Sequence, residues 1–591
     1  LKYREIFMSF LRRHISLFRS QKQLIDVFAP VSPNLELAEI HRRVIEDQGP
    51  ALLFHNVIGS SFPVLTNLFG TKHRVDQLFS QAPDNLIARV AHLISSTPKL
   101  SSLWKSRDLL KRISSLGLKK ARFRRFPFVS MSSVNLDHLP LLTSWPEDGG
   151  AFLTLPLVYT ESPTLTTPNL GMYRVQRFNQ NTMGLHFQIQ KGGGMHLYEA
   201  EQKKQNLPVS VFLSGNPFLT LSAIAPLPEN VSELLFATFL QGAKLLYKKT
   251  NDHPHPLLYD AEFILVGESP AGKRRPEGPF GDHFGYYSLQ HDFPEFHCHK
   301  IYHRKDAIYP ATVVGKPYQE DFYIGNKLQE YLSPLFPLVM PGVRRLKSYG
   351  ESGFHALTAA VVKERYWRES LTTALRILGE GQLSLTKFLM VTDQEVPLDR
   401  FSVVLETILE RLQPDRDLII FSETANDTLD YTGPSLNKGS KGIFMGIGKA
   451  IRDLPHGYQG GKIHGVQDIA PFCRGCLVLE TSLEDRCIKS LLHHPDLKSW
   501  PLIILADNLR ETIQSEKDFL WRTFTRCAPA NDLHALHSHF ATHRPNYNFP
   551  FVIDALMKPS YPKEVEVDPS TKQKVSERWH AYFPNKETFY I

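Results

Sequence analysis

Between residues 150 and 303 the chain is cut into short apolar runs, and these leave little choice of fold. FLTLPLVYT (152–160), LGMYRVQRF (170–178), MGLHFQIQK (183–191), PVSVFLSG (208–215), AEFILVGE (261–268) and FHCHKIYH (296–303) are each about one strand long. Gly, Pro and Asn separate them. Many short strands punctuated in this way fit a β-barrel-like domain, because a sheet that curls on itself exposes little edge. Helical patches interrupt the series, one of them at VSELLFATFLQGAKLL (231–246).

The flanks follow other patterns. Residues 1–50 read as helical, and LELAEIHRRVIED (35–47) puts Leu35, Leu37, Ile40, Val44 and Ile45 near one face. GPALLFHNV (49–57) reads as a buried strand, and residues 84–117 as helical again. From about residue 330 strands and helices alternate, with an internal repeat. KFLMVTD (387–393) precedes a helical stretch ending R-x-x-P-x-x-D-L at Arg411–Leu418. PLIILAD (501–507) precedes another with the same ending at Arg526–Leu533. Two βα units, 385–418 and 499–533, are expected. The fold class is therefore α+β.

Composition excludes some functions. With 42% hydrophobic and 22% charged residues the chain is ordinary globular protein, not a disordered one. Its net charge is +8, but the densest basic run, KKARFRR (119–125), is short, so no nucleic-acid partner is expected. Five cysteines in so long a chain do not make a disulfide framework, which fits a reducing compartment. No run reaches the length of a spanning helix, and the opening LKYREIFMSFLRRH offers no signal-peptide core. A cytoplasmic protein is expected.

Several constellations could carry chemistry. In PEGPFGDHFGYY (276–287), Glu277 and Asp282 flank a Gly-Pro-Phe-Gly core that should turn tightly. Two carboxylates held close cannot both ionise freely, so one is expected to be protonated and able to donate. In NLGMYRVQR (169–177), Asn169 and Arg174 would face opposite ways on a plain strand unless Gly171 bends it. Arg174 suits a carboxylate partner or substrate. The glycines of QIQKGGGMH (188–196) and of KGSKGIFMGIGKA (438–450) could bring backbone amides to a phosphate. His297, Cys298, His299 and His303 resemble metal ligands, but on a strand Cys298 turns away. CRGC (473–476) has redox spacing without a second pair. HPH (253–255) reads as a loop.

Taken in order, GPALLFHN, PVLTNLFGT, LTSWPEDGGAFLTLPLVYT, NLGMYR, APLPENVSE, EGPFGDHFGYY and DAIYPATVVGKP resemble the UbiD family of prenylated-FMN decarboxylases over nearly the whole chain. The length and TLDYTGPSLNKGSK (428–441) are similar to its longer bacterial, menaquinone-type branch. The resemblance implies an N-terminal α/β region (1–130), a split β-barrel that binds the flavin (131–330) and a C-terminal α/β oligomerisation domain (331–591). It implies Asn169, Glu233 and Gln190 at a divalent metal, expected to be manganese. Gln190 stands where many relatives have His, so weaker metal binding is expected. Met172, Tyr173, Arg174, the strand residues His186, Phe187 and Gln188, then Lys191, Gly192 and Lys441 would line the cofactor, with potassium as a further ion. Arg174 would pair with Glu277, and Asp282 would donate the proton. The implied reaction is non-oxidative decarboxylation of an aromatic acid, polyprenylated and of hydroxybenzoate or naphthoate type, through a covalent prenylated-FMN adduct in ubiquinone or menaquinone biosynthesis. The implied partners are a flavin prenyltransferase, further copies of the chain, and the inner membrane face at its periphery. Two other readings compete: a flavin oxidoreductase on the same barrel, and a non-catalytic flavin-binding assembly protein.

Overall fold

The computed structural model describes residues 9–584 apart from 96–106, 123, 125, 189–190, 228–230 and 542–543. These fall into two compact units. Residues 1–328 and 563–591 form one, and residues 329–562 the other.

The first unit opens with helix Phe10–Ser20, strand Leu24–Val27 and helix Glu36–Glu46, so the expected helical stretch is broken by a strand. Leu24–Val27 pairs in parallel with Ala51–Phe54. Leu37, Ile40, Val44 and Ile45 are buried as the periodicity requires. Leu35 instead stands before the helix with φ near +63°.

A ten-stranded sheet follows. Along it run Phe152–Leu153, Val175–Arg177, Thr182–Leu185, His291–Arg304, Ala261–Ser269, Leu207–Ser214, Leu157–Glu161 and Pro168–Met172. The last of these lies at one edge, and Val175–Arg177 lies second from the other. Only Tyr173 and Arg174 connect them. Three peptide steps reach at most about 11 Å, so the sheet must curl until its edges nearly meet. Arg174 lies on that seam of the split barrel.

Local chemistry sets several boundaries. The expected helix at 231–246 runs only over Glu233–Gln241, because Gly242 takes φ near +70° and ends it. The chain then enters strand Leu245–Lys248. The strand expected through Gln188 stops at Leu185, and Gly192–Gln202 is a helix whose first turn is the triple glycine. His253 and His255, read as a loop, are buried, and both hydrogen-bond the Ser210 hydroxyl at 2.8 and 3.1 Å.

Residues 563–584 also belong to this unit, although the expected C-terminal domain included them. The Lys563 carbonyl accepts from Tyr287 N–H at 2.9 Å, and Val565 N–H donates to Gly285 O at 3.1 Å. Val565 packs with Trp145 and Tyr287. Helix Pro569–Tyr582 then closes on Glu36, which is 1% exposed. The Glu36 carboxylate accepts from Lys574 at 2.9 Å, from Tyr582 Oη at 2.5 Å and from Arg578.

The second unit holds two five-stranded sheets. One runs Val343–Ser348, Leu357–Val362, Phe388–Thr392, Lys438–Gly446, Leu418–Ala425; the other runs Asp468–Cys473, Cys476–Glu480, Leu502–Ala506, Arg544–Asp554, Leu533–Ala541. In both, the outer pairs are antiparallel and the inner pairs parallel. Both repeated endings form four-residue helices, Pro414–Asp417 and Pro529–Asp532, after longer helices Phe401–Leu409 and Glu516–Thr525. The two expected βα units are present. The lysine- and glycine-rich phosphate candidate at 438–450 is, over Lys438–Gly446, a mostly buried strand.

Candidate active site

The seam of the barrel brings together residues that lie a hundred positions apart. Strand Arg274–Glu277 pairs with the long strand His291–Arg304 and carries Glu277 inward, where it is fully buried. The chain then turns through the hairpin of Phe280–Gly281 with Tyr287–Ser288, and Asp282 follows at its tip. Gly281 permits this turn, because a Cβ there would fall 2.1 Å from the Trp145 ring.

Arg174 forks across both carboxylates. Its Nε and Nη2 donate to Glu277 Oε1 and Oε2 at 2.8 and 2.9 Å, and Nη1 donates to Asp282 Oδ2 at 2.5 Å. Nη2 also reaches Ser288 Oγ at 2.8 Å. The guanidinium lies over the Phe280 ring at 4.8 Å. His186 Nδ1 is 3.2 Å from Glu277 Oε2, and its Nε2 is buried with no protein partner. Phe293 packs on the His186 ring at 4.2 Å. On the far side of Asp282, the backbone N–H and Nδ1 of His283 both lie 2.7 Å from Oδ1.

The electrostatics follow from this wiring. Burial alone would raise the pKa of Glu277, but the Arg174 charge and its hydrogen bonds bring it down to about 2. Burial also acts upward on Asp282, and there the His283 hydrogen bond and charge, with Arg174, prevail and hold the carboxyl well below its ordinary range. This corrects the expectation that one carboxyl is protonated. A single arginine serves both, so neither acid has to yield. Burial, with the nearby Arg174 charge, lowers His186. Asp148 lies half-buried beside the hairpin. It accepts from the N–H groups of Ser144, Trp145 and Gly281 at 2.8–2.9 Å, yet burial raises it to about 6.

A second cluster lies on the same edge strand. Asn169 is buried, and its Nδ2 has no protein partner. Glu233, the first residue of its helix, accepts from Leu170 N–H at 3.0 Å, and burial raises its pKa. Gly193 N–H, in the first turn of the triple-glycine helix, donates to Tyr173 Oη at 3.3 Å. Gly192 must be glycine, since a Cβ would lie 2.1 Å from Asn169 Oδ1. An eleven-residue helix N-terminus beside an unsatisfied buried amide and an oxygen ligand suits a phosphate and a hard cation. Gln190, the expected third metal ligand, lies outside the described residues. Among the described residues no three His, Cys, Asp or Glu side chains converge as a metal site, so the His297–His303 run is not one.

Met172, Tyr173, Phe187 and Lys191 lie between these two clusters along the chain, and Tyr173 packs edge-on against Phe187 at 5.0 Å. Lys441 belongs to the second unit, where it is buried with its Nζ 3.0 Å from Thr386 O; burial lowers its pKa to about 8. Sequence reasoning missed Ser288, His283 and Asp148. It also missed Asp321, whose Oδ1 is buried without a partner and whose pKa burial raises to about 6, within the field of His283. The adjacency of Asp282 and His283 was visible; the contacts of Ser288, Asp148 and Asp321 depend on the tertiary fold alone.

Comparison with known proteins bears on this arrangement. Residues 15–94, 118–317 and 322–446 match the N-terminal, Rift-related and C-terminal domains of UbiD, described as 3-octaprenyl-4-hydroxybenzoate carboxy-lyase. An uncharacterised protein of Chlamydia caviae is 73% identical, covering 98% of this chain and 99% of its own. One of Archaeoglobus fulgidus is 34% identical over 76% of this chain and 93% of its own. Among solved structures, the vanillic acid decarboxylase of Sedimentibacter hydroxybenzoicus superposes with TM-score 0.65 at 22% identity, covering 77% of this chain and 95% of its own. The UbiD-class enzyme HmfF of Pelotomaculum thermopropionicum, in complex with prFMN, gives 0.60 at 19% identity, covering 74% and 94%.

Proposed function

Because the chain belongs to the UbiD family of carboxy-lyases, we propose that it decarboxylates an aromatic acid without net oxidation, with prenylated FMN and a divalent metal, manganese, as cofactors. The observation that carries this reading is the Arg174 fork between two buried carboxylates on the barrel seam. Hydride transfer would not require such an arrangement. Prenylated FMN, when bound, supplies the electron sink that a ring carbon needs when it loses carbon dioxide.

The residues of this chain do the rest. Asn169 and Glu233 offer oxygen to the metal, with Gln190 as the third ligand in the proposal. The amides of the Gly192–Gln202 helix would neutralise the phosphate. Met172, Tyr173, His186, Phe187, Gln188 and Lys191 would line the flavin. Glu277, ionised, keeps Arg174 charged and fixed. Departure of carbon dioxide leaves an electron pair on the ring carbon, and that carbon takes one proton. Asp282 is the proposed carrier of this proton. It is ionised while Arg174 and His283 hold it, so it must first take a proton, and His283 Nδ1 is in contact to pass one on.

The substrate proposed is a hydroxybenzoate- or naphthoate-type acid, polyprenylated, in ubiquinone or menaquinone biosynthesis. A flavin prenyltransferase would supply the cofactor, and a prenyl tail would require transient contact with a membrane surface. Among the described residues no helix is long and apolar enough to cross a membrane.

The test is coexpression with a flavin prenyltransferase, mass and absorbance analysis of the bound cofactor, and then deuterium exchange from solvent into the ring carbon of aromatic products. Holo-protein bearing prenylated FMN and catalysing exchange is the expected result. Retention of plain FMN only, with hydride transfer from a reduced nicotinamide, would overturn the reading.

A further inference from the structure

The two sheets of residues 329–562 agree well beyond their strand order. In each, an aspartate follows the central parallel strand and caps the chain leaving its neighbour. Asp393 accepts from Gly448 N–H and Asp507 from Met557 N–H, both at 3.0 Å. In each, the aspartate of the short helix closes on the N–H four residues earlier. Asp417 accepts from Gln413 at 3.1 Å and Asp532 from Ala528 at 2.7 Å. Such matched caps at matched places mark two copies of one module. The three family matches end at residue 446, before the second copy begins.

The copies pack reciprocally. Pro414–Asp417 of the first lies on strand Arg544–Asp554 of the second, and Pro529–Asp532 of the second lies on strand Lys438–Gly446 of the first. Ala530 N–H donates to Ser440 Oγ at 3.0 Å. Glu516 caps the first copy's helix through the N–H groups of Phe401 and Ser402 at 3.1 and 3.0 Å. Between the sheets Phe524 meets Phe388 and Phe401 at 5.2 and 5.6 Å, and Phe444 meets Phe551 at 6.1 Å. Element i on j, matched by j on i, is the pattern of a two-fold interface.

The copies differ in polar content. In the first, Lys387 is fully buried, with Nζ 2.7 Å from Asp430 and 3.2 Å from Thr432 Oγ1; Lys441 lies one strand away. Phe388 is in register with Gly442, and Leu502 with Phe551. The preceding residues are therefore equivalent, and Pro501 and Pro550 stand where Lys387 and Lys441 stand. The polar loop bearing Asp430 and Thr432 has no counterpart either, since Ala541 pairs directly with Arg544 across the second hairpin.

A lone first copy would expose a sheet face carrying Phe388, Met390 and Phe444, each now at most 1% exposed. An apolar face of that kind needs a covering partner. We propose that the second copy is that partner, built into the chain: it has given up the lysine cluster and covers the face that a single copy would bury against another molecule. This goes beyond the decarboxylase reading and does not depend on it.

Hydrogen-exchange mass spectrometry on the full chain tests it. Protection of residues 438–446 and 544–554 should not change over a hundredfold dilution. Phe524→Ala should raise exchange in both copies, and the milder Glu516→Gln should do so at 401–409 as well as 516–525. Loss of protection on dilution, or loosening confined to the second copy, would each overturn the proposal.

Discussion

Replacing Glu277 with glutamine removes one charge from the centre of the site and nearly nothing else. In the folded protein the Glu277 carboxyl falls from 4.5 to about 2. At ~1.4 kcal/mol per pKa unit, that is about 3 kcal/mol of stability at neutral pH. The sign follows from the direction. A carboxyl lowered on folding stabilises fully above its unfolded value and loses that contribution as pH falls through the folded one. At about pH 3.5 the wild-type advantage should have shrunk to about 2 kcal/mol. The amide has no such dependence. Its NH₂ must also face Arg174 or His186, both held against the carboxylate in the wild type. Removing one member of a buried ion pair typically costs ~3–5 kcal/mol, so Glu277→Gln should destabilise the barrel by about 3 kcal/mol or more at pH 7. Urea unfolding read by pulsed hydrogen exchange at peptides 174–186 and 277–288 isolates this unit. Equal stability of the two proteins at pH 7, or a difference that stays constant down to about pH 3.5, would refute the reasoning.

Asp282→Asn should abolish deuterium exchange at the product's ring carbon while FMN is still retained; exchange at the wild-type rate removes Asp282 from its role. If Glu233 holds the proposed metal, Glu233→Ala should weaken manganese binding at least tenfold by titration, because Asn169 would be left as the only proposed ligand among the described residues; unchanged affinity would place the metal elsewhere. Tyr582→Phe takes one hydrogen bond from the buried Glu36 carboxylate and should cost about 1.5–3 kcal/mol, read as faster exchange across 569–582. No change there would mean that Lys574 and Arg578 suffice.

Much of the site was legible because it rests on short-range chemistry. Gly-Pro-Phe-Gly between Glu277 and Asp282 can only turn, and Arg174 needed an acid. The protonation of Asp282 was not legible, since it depends on one guanidinium reaching both carboxylates and on His283 folding back. The strand runs announced a barrel, but not that Tyr173 and Arg174 alone would close its seam. His253 and His255 lie in a loop, as HPH suggests, but their burial was not legible. The Ser210 hydroxyl, brought in from a strand, and the contact of the two rings with each other make their burial tolerable. The repeated R-x-x-P-x-x-D-L showed two βα units. It could not show that whole modules were duplicated, because their outer strands share no such pattern.

The return of residues 563–582 to the first unit has a consequence for synthesis. A chain leaving the ribosome offers Glu36 and the Gly285–Tyr287 edge well before their partners. Until then Glu36 lacks Lys574, Arg578 and Tyr582, and the hairpin bearing Asp282 lacks its strap. The barrel is thus sealed only after residues 329–562, a whole separate unit, have been made. A product stalled before residue 563 would carry Arg174, Glu277 and Asp282 and still hold the acid on an unbraced turn.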